Sequence, residues 1–123
     1  MENLEVKATH DTPHIFCNAS GHVLLEGRSL PENPILIYER VFRWAESFDK
    51  SSVLLVFKLE YFNTASSKQI FQLLKIFHGN PNVKQIKVKW YYEEGDYDSH
   101  ETGEHYSQLF KIPFELIEYK EGS

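Results

Sequence analysis

Val53-Leu54-Leu55-Val56-Phe57-Lys58-Leu59-Glu60-Tyr61-Phe62-Asn63-Thr64-Ala65-Ser66-Ser67-Lys68-Gln69-Ile70-Phe71 is the stretch on which the fold turns. Its first half is a nearly continuous apolar run, rich in β-branched and aromatic residues and too short to cross a bilayer. Such a run predicts a central strand buried on both faces, as parallel sheets require. In the second half and just beyond it, Ser66, Ile70, Leu73, Leu74 and Phe77 recur at helical spacing, which predicts one core-facing stripe. Between the two lies Asn63-Thr64-Ala65-Ser66-Ser67, a polar hinge with three hydroxyls where a strand gives way to a helix.

The hinge sits at the carboxyl end of a central strand, where open α/β sheets place their sites. It is also a helix N-terminus, whose unpaired N–H groups and partial positive charge favour an anion. A hydroxyl held there is well placed to carry a phosphate. A plainer role fits the same residues. Asn63 or Thr64 can serve as an N-cap, its side-chain oxygen accepting from an amide two or three residues on.

Working outward toward the N-terminus, Tyr38, Val41, Phe42, Ala45 and Phe48 mark a helix face. Asn33 is a good cap for that helix and Pro34 suits its first position; it should end near Asp49 to Ser51. Leu4 to Ala8 alternates as a half-buried strand. Ile15 to Cys17 and Val23 to Gly27, turned at Ser20-Gly21-His22, predict a hairpin peripheral to the α/β core.

Toward the C-terminus, His78-Gly79-Asn80-Pro81 stops the second helix. Lys84 to Tyr92 then alternates, with Ile86, Val88 and Trp90 on one face and Lys87, Lys89 and Tyr91 on the other. Strand, helix and strand make a right-handed unit whose strands pair in parallel. Glu93 to Asp98 reads as an acidic loop opening on the same rim as Thr64. A last helix from about Ser99 or Glu101 uses Tyr106, Leu109 and Phe110. Pro113 ends it, and Phe114 to Tyr119 forms the final strand.

Four blocks of this chain, in order, resemble the SiaC family of bacterial regulatory phosphoproteins. They are Gly27-Arg28-Ser29-Leu30-Pro31-Glu32-Asn33-Pro34, Glu60-Tyr61-Phe62-Asn63-Thr64-Ala65-Ser66-Ser67, Trp90-Tyr91-Tyr92-Glu93-Glu94-Gly95-Asp96, and Glu101-Thr102-Gly103-Glu104 followed by Ile112-Pro113-Phe114-Glu115. The resemblance implies an α/β fold: a single STAS-like domain over residues 1–123, similar to the anti-sigma-factor antagonists, with a mixed sheet, an N-terminal hairpin and about three helices. It also implies a non-enzymatic switch. Thr64 would be phosphorylated by a partner Ser/Thr protein kinase and dephosphorylated by a PP2C-type phosphatase. The unphosphorylated form would bind and activate a diguanylate cyclase, and so control biofilm formation through c-di-GMP. The implied docking surface comprises Tyr61, Asn63, Thr64, Ala65, Ser67, Lys68, Tyr91 and Tyr92. Ser66 and Ser67 are fallback acceptors, Ser66 the less accessible because it lies on the inward stripe. Ala65-Ser66 departs from the family's serine pair after the threonine, a change that bears on kinase preference.

Composition bounds the alternatives. The chain has 123 residues, 41% of them apolar, enough for a real core. A net charge of −5 argues against a duplex-binding surface, and Lys68, Lys75, Lys84, Lys87 and Lys89 read as solvated faces. No apolar run reaches membrane length and no secretory pattern opens the chain. The single Cys17 fits a reducing compartment and a small core residue, so a cytoplasmic location is expected. Neither a cofactor motif nor a nucleophile–base pair stands out. A small metal-dependent enzyme would need the acidic loop and His105. A ligand- or nucleotide-binding module is the other open class. His100-Glu101 with Glu104-His105 is the one local cluster of potential ligands, but its spacing lacks a His pair at i,i+4.

Overall fold

The structure, a computed structural model, describes residues 1–30 and 35–120; the expected helix start at Asn33 and Pro34 lies outside the described residues. Six strands form one sheet in sequence order: β1 (Leu4–Val6), β2 (His14–Asn18), β3 (His22–Ser29), β4 (Ser52–Phe62), β5 (Gln85–Glu93) and β6 (Phe114–Tyr119). Three helices join the last four strands: α1 (Ile35–Ser47), α2 (Thr64–Gly79) and α3 (Tyr97–Phe110). The β1–β2 and β2–β3 pairs are antiparallel; β3–β4, β4–β5 and β5–β6 are parallel.

Each parallel step crosses through one helix and moves the same way across the sheet. Right-handed crossovers therefore put all three helices on one face. This corrects the expectation that β4 is buried on both faces. Val53, Leu55, Phe57 and Leu59 are buried beneath the helices, whereas Leu54, Val56 and Lys58 are half-buried on the open face. The run reads as continuous because Leu54 and Val56 line an apolar strip on that open face, where Val56 neighbours Leu24 and Lys89.

The N-terminal hairpin is present but is not peripheral. β3 pairs with β4 from His22 opposite Leu54 to Ser29 opposite Phe62, so the hairpin is one wing of the same sheet. Gly21 makes the join possible. Its φ is +116°, and a Cβ there would lie 2.5 Å from the Ser52 carbonyl oxygen. The β3–β4 ladder also carries a bulge. Gly27 pairs with Leu59 but Arg28 pairs with Tyr61, leaving Glu60 as the extra residue. The shift turns Phe62 toward the helices, edge-on to Trp90 at 5.9 Å, and leaves Tyr61 57% exposed.

The α2 stripe is as expected: Ser66, Ile70, Leu73, Leu74 and Phe77 are buried. α1 buries Tyr38, Val41 and Ala45 as expected but leaves Phe42 half-buried, and it ends at Ser47, short of the expected Asp49 to Ser51, so that Phe48 is buried just beyond it. The helix also buries Trp44, which packs on Phe48 at 5.3 Å and Phe77 at 6.5 Å. α3 departs most. It begins at Tyr97, its inward residues are Ser99, Gly103 and Tyr106, and the expected core residue Leu109 is 52% exposed. A side chain at Gly103 is excluded by Trp90, whose Cδ1 would lie 2.8 Å from a Cβ there. The ring fills the space that larger α3 residues would otherwise occupy.

Burial pushes the Cys17 thiol and the Tyr38 phenol each up to about 12. In the unfolded chain such groups ionise near about 8.5 and about 10. Both pKa values are higher in the folded state, so the stability they contribute is complete below about pH 8.5 and drains as pH rises toward 12. The melting temperature should therefore fall above about pH 9. A Cys17→Ala, Tyr38→Phe variant should show a shallower alkaline limb; equal slopes would contradict the assignment.

Candidate functional site

The hinge is built at the carboxyl ends of β3, β4 and β5. Asn63 is the N-cap of α2: its backbone is extended (φ −85°, ψ 174°) and its side-chain oxygen accepts from the Ser66 amide at 2.8 Å. Of the two cap candidates, Asn63 holds the position and Thr64 becomes the first helical residue, with its side chain exposed. Loss of the cap should be felt locally. Asn63→Ala is expected to cost about 0.5–2 kcal/mol in urea unfolding, with faster amide exchange at Ser66. No change in either would refute the cap.

Beneath the hinge runs a buried hydroxyl chain. The Ser29 hydroxyl donates to Ser66 Oγ at 2.7 Å, and Ser66 Oγ donates to the Ser29 carbonyl at 2.9 Å. With the Ser29 proton committed, the 2.8 Å bond from Tyr38 must have the phenol as donor. The Asn63 amide donates to the same Ser29 carbonyl at 3.1 Å. These bonds lock the first turns of α1 and α2 onto the end of β3. Ser66, the less accessible of the two fallback acceptors, is fully buried with its hydroxyl both donating and accepting. Sequence periodicity puts Ser66 inside but cannot show its partner, because Ser29 lies 37 positions away along the chain.

Ser67 is half-buried and tied to α3. Its hydroxyl bonds the Tyr106 phenol at 2.6 Å, and that phenol donates to the Ser67 carbonyl at 3.0 Å. Of the three hinge hydroxyls, Thr64 is therefore the one exposed at the surface, with Lys68 exposed one turn along the same helix.

The expected docking residues do not all meet. Tyr61, Asn63, Thr64, Ala65, Ser67 and Lys68 gather at the rim. Tyr91 and Tyr92 point to opposite sides of the sheet. Tyr91 lies on the open face under the Lys58 ammonium, 5.5 Å from its ring centroid. Tyr92 lies on the helix side, against the His100 ring at 4.9 Å. Partial burial, then the Glu118 carboxylate, pushes the Tyr92 phenol above its usual range.

The acidic segment is on the expected rim, but only its middle, Glu94 to Asp96, is loop. Glu93 ends β5, Glu94 and Gly95 form the turn, and Asp96 caps α3 by accepting from the Ser99 amide at 3.0 Å. Asp98 already lies in the first turn of α3. The rim is nevertheless acidic: burial and the carboxylates of Glu93, Glu60 and Asp96 push the Tyr119 phenol upward. Tyr61, Phe62, Asp96, Asp98, Ser99 and Thr102 line a cleft of about 170 Å³ beside the hinge. His105 does not join these acids. It sits nine residues beyond Asp96 along α3, about 13 Å away by helix rise. Among the described residues, no group of three or more His, Cys, Asp or Glu side chains is placed to hold a metal ion. Nor is any helix there long and apolar enough to cross a membrane.

Comparison with known proteins gives a consistent result. The model of the SiaC family regulatory phosphoproteins matches residues 6–119. An uncharacterized protein of Pseudomonas aeruginosa strain UCBPP-PA14 is 25% identical, over 98% of this chain and 100% of its own length. SiaC of Pseudomonas aeruginosa superposes with a TM-score of 0.83 at 25% identity, covering 97% of this chain and 100% of that one. SiaC in a crystal structure with the diguanylate cyclase SiaD, which it activates, superposes with a TM-score of 0.81 at 25% identity, covering 94% and 99%. The apo form of SiaC from the same organism gives 0.79 at 24% identity, covering 95% and 99%. Together with the six-stranded sheet and its three one-sided helices, the match across nearly the whole chain places this protein in the SiaC family of regulatory phosphoproteins.

Proposed function

We propose that this chain is a non-enzymatic, phosphorylation-switched activator of a diguanylate cyclase. Thr64 is the residue cycled by a Ser/Thr kinase and a PP2C-type phosphatase, and the output is c-di-GMP and surface attachment. The observation that carries this reading is the exposure of the Thr64 hydroxyl at the N-terminus of α2, while Ser66 is sealed beneath it and Ser67 is tied to Tyr106. The N-terminus tolerates a dianion, because the helix dipole and free amides favour negative charge. The family match and the SiaC–SiaD complex support the choice of partner. An activating role needs no catalytic group on this chain, only a surface whose affinity for the cyclase changes with one phosphate. The cytoplasm, where the kinase, phosphatase and cyclase domain would meet it, is its proposed location.

The test is phosphosite mass spectrometry on the protein isolated from its host, with Thr64→Ala in parallel and cyclase co-purification from both. The expected result is phosphate on Thr64, absent from the variant, with the cyclase retained by the unmodified form. A chain that stays unmodified under all growth conditions and is not labelled by active kinase lysate would sink the proposal. Thr64 would then be only the first residue of a capped helix.

A further inference from the structure

The sheet carries its helices on one face, and among the described residues nothing covers the other. Parallel strands are as a rule covered on both faces. The bare face holds a continuous cross-strand row: Glu5, Phe16, Leu24, Val56, Lys89 and Glu115 pair in register from β1 to β6. Phe16, Leu24 and Val56, in the middle of that row, are apolar and half-buried. In the next row Glu26 pairs in register with Lys58, but the two side chains lean apart. The Glu26 carboxylate lies 3.8 Å from His14 Nδ1, and the Lys58 ammonium sits over the Tyr91 ring, 5.5 Å from its centroid. An apolar floor is left, with an acid on its β3 side and a base on its β4 side.

We propose that this face is the interface of a homodimer, two copies stacked sheet on sheet about a two-fold axis that runs along the strands between β3 and β4. A two-fold interface must be complementary to itself, and this one is. The axis lays β3 of one copy over β4 of the other. Leu24 then meets Val56 of the second copy, Glu26 meets its Lys58, and each contact occurs twice. An axis across the strands would instead lay β4 on β4 and β5 on β5, bringing Lys58, Lys87 and Lys89 of the two copies together. Aligned sheets pack about 10 Å apart and within about 30° of each other, so the contacts nearest the axis survive the twist. Glu5 and Glu115 meet only at the outer rim, where solvent and salt screen them. The six strands, about 4.8 Å apart with about five residues each at about 3.3 Å, make a face of about 29 by 17 Å. Two copies would bury about 1,000 Å² in total, the low end for a specific interface, so the dimer is weak and concentration-dependent. Both Thr64 rims lie at the same end of it and stay uncovered. The switch proposed above does not use this face, so the two proposals fail separately.

Sedimentation velocity of the full-length chain from about 5 μM to about 1 mM is the test, with a shift from monomer to dimer expected across that range. Glu26→Lys and Lys58→Glu each put like charges on both symmetry-related contacts, and each alone should weaken association at least about tenfold. An equimolar mixture of these two variants restores opposite charges at both contacts and should dimerise about as well as wild type. Val56→Thr is nearly isosteric but buries a hydroxyl from each copy, and should weaken the dimer severalfold. Thermal unfolding of the variants at low concentration should match wild type; if either charge reversal fails to fold, Val56→Thr decides alone. A chain that stays monomeric at about 1 mM leaves the bare face to water or to another protein and overturns the proposal. So does a mixture that associates no better than its components. A dimer unmoved by Val56→Thr and by both reversals joins through another surface, and overturns it too.

Discussion

Trp90→Ala should lower the unfolding free energy by about 3–5 kcal/mol, the largest single loss available in this core. The ring is 1% exposed and packs against Phe57 at 5.2 Å, Phe62 at 5.9 Å, Tyr106 at 6.0 Å and Phe114 at 6.2 Å. Its Nε1 donates to the Ser99 carbonyl at 3.0 Å and lies 3.2 Å from the Ser99 hydroxyl. Alanine opens a cavity that Gly103, directly opposite, has no side chain to fill, and it strips a donor from a buried carbonyl. Trp90→Phe removes the donor with a smaller void and should cost less. Gly103→Ala forces a Cβ to 2.8 Å from the intact ring and should cost about 1–3 kcal/mol alone. Combined with Trp90→Phe, it should cost less than the sum of the two, since the smaller ring makes room. Urea unfolding of the four proteins measures the cycle. A Trp90→Ala loss under about 1 kcal/mol, or strict additivity in the cycle, would refute the role given to this ring.

That ring also explains why one part of the fold is hard to read in the sequence. α1 and α2 announce themselves because their inward positions are apolar and recur at helical spacing. The inward positions of α3 are Ser99, Gly103 and Tyr106, and two of the three are small because Trp90 reaches up between them. A hydrophobicity pattern sees only Tyr106, and it finds Leu109 instead, which the structure leaves exposed. The strands are legible for the converse reason: alternation in Lys84 to Tyr92 and the compact run in β4 survive any arrangement of neighbours. The two-sided burial assigned to β4 fails because an apolar residue on an open sheet face looks the same in one dimension as one beneath a helix. The bulge at Glu60 leaves no mark on composition, yet it decides that Phe62 enters the core and Tyr61 does not. At the hinge, the cap and the inward serine are readable from spacing. The Ser29–Ser66 bond is not, because it joins residues 37 positions apart.

Phosphate on Thr64 should weaken cyclase binding by about a hundredfold without lowering the melting temperature of the free protein. The two halves of this expectation have separate causes. In the free protein the dianion sits at the first residue of α2, where amides and dipole stabilise it by about 0.3–1 kcal/mol. Asn63 keeps the cap, accepting from Ser66 at 2.8 Å, and the buried hydroxyl chain is untouched, so nothing in the fold must move. In the complex, the same phosphate would be covered by the partner. Lys68, one turn along α2, is exposed and carries no ion pair among the described residues, but a single flexible lysine neutralises only part of two charges. Desolvating the remainder costs several kcal/mol, and about 2.8 kcal/mol already produces the hundredfold loss. Because desolvation rather than long-range repulsion dominates, added salt should recover little of the affinity. Thr64→Ala removes the acceptor without adding charge, so it should bind within about threefold of wild type, whereas Thr64→Glu adds one charge and should fall between the two. Calorimetric titration of stoichiometrically phosphorylated protein against the cyclase, at low and high salt, separates these terms. Binding that is unchanged by the phosphate, or fully restored by salt, would mean that Thr64 lies outside the covered surface and that the switch works through another part of the chain.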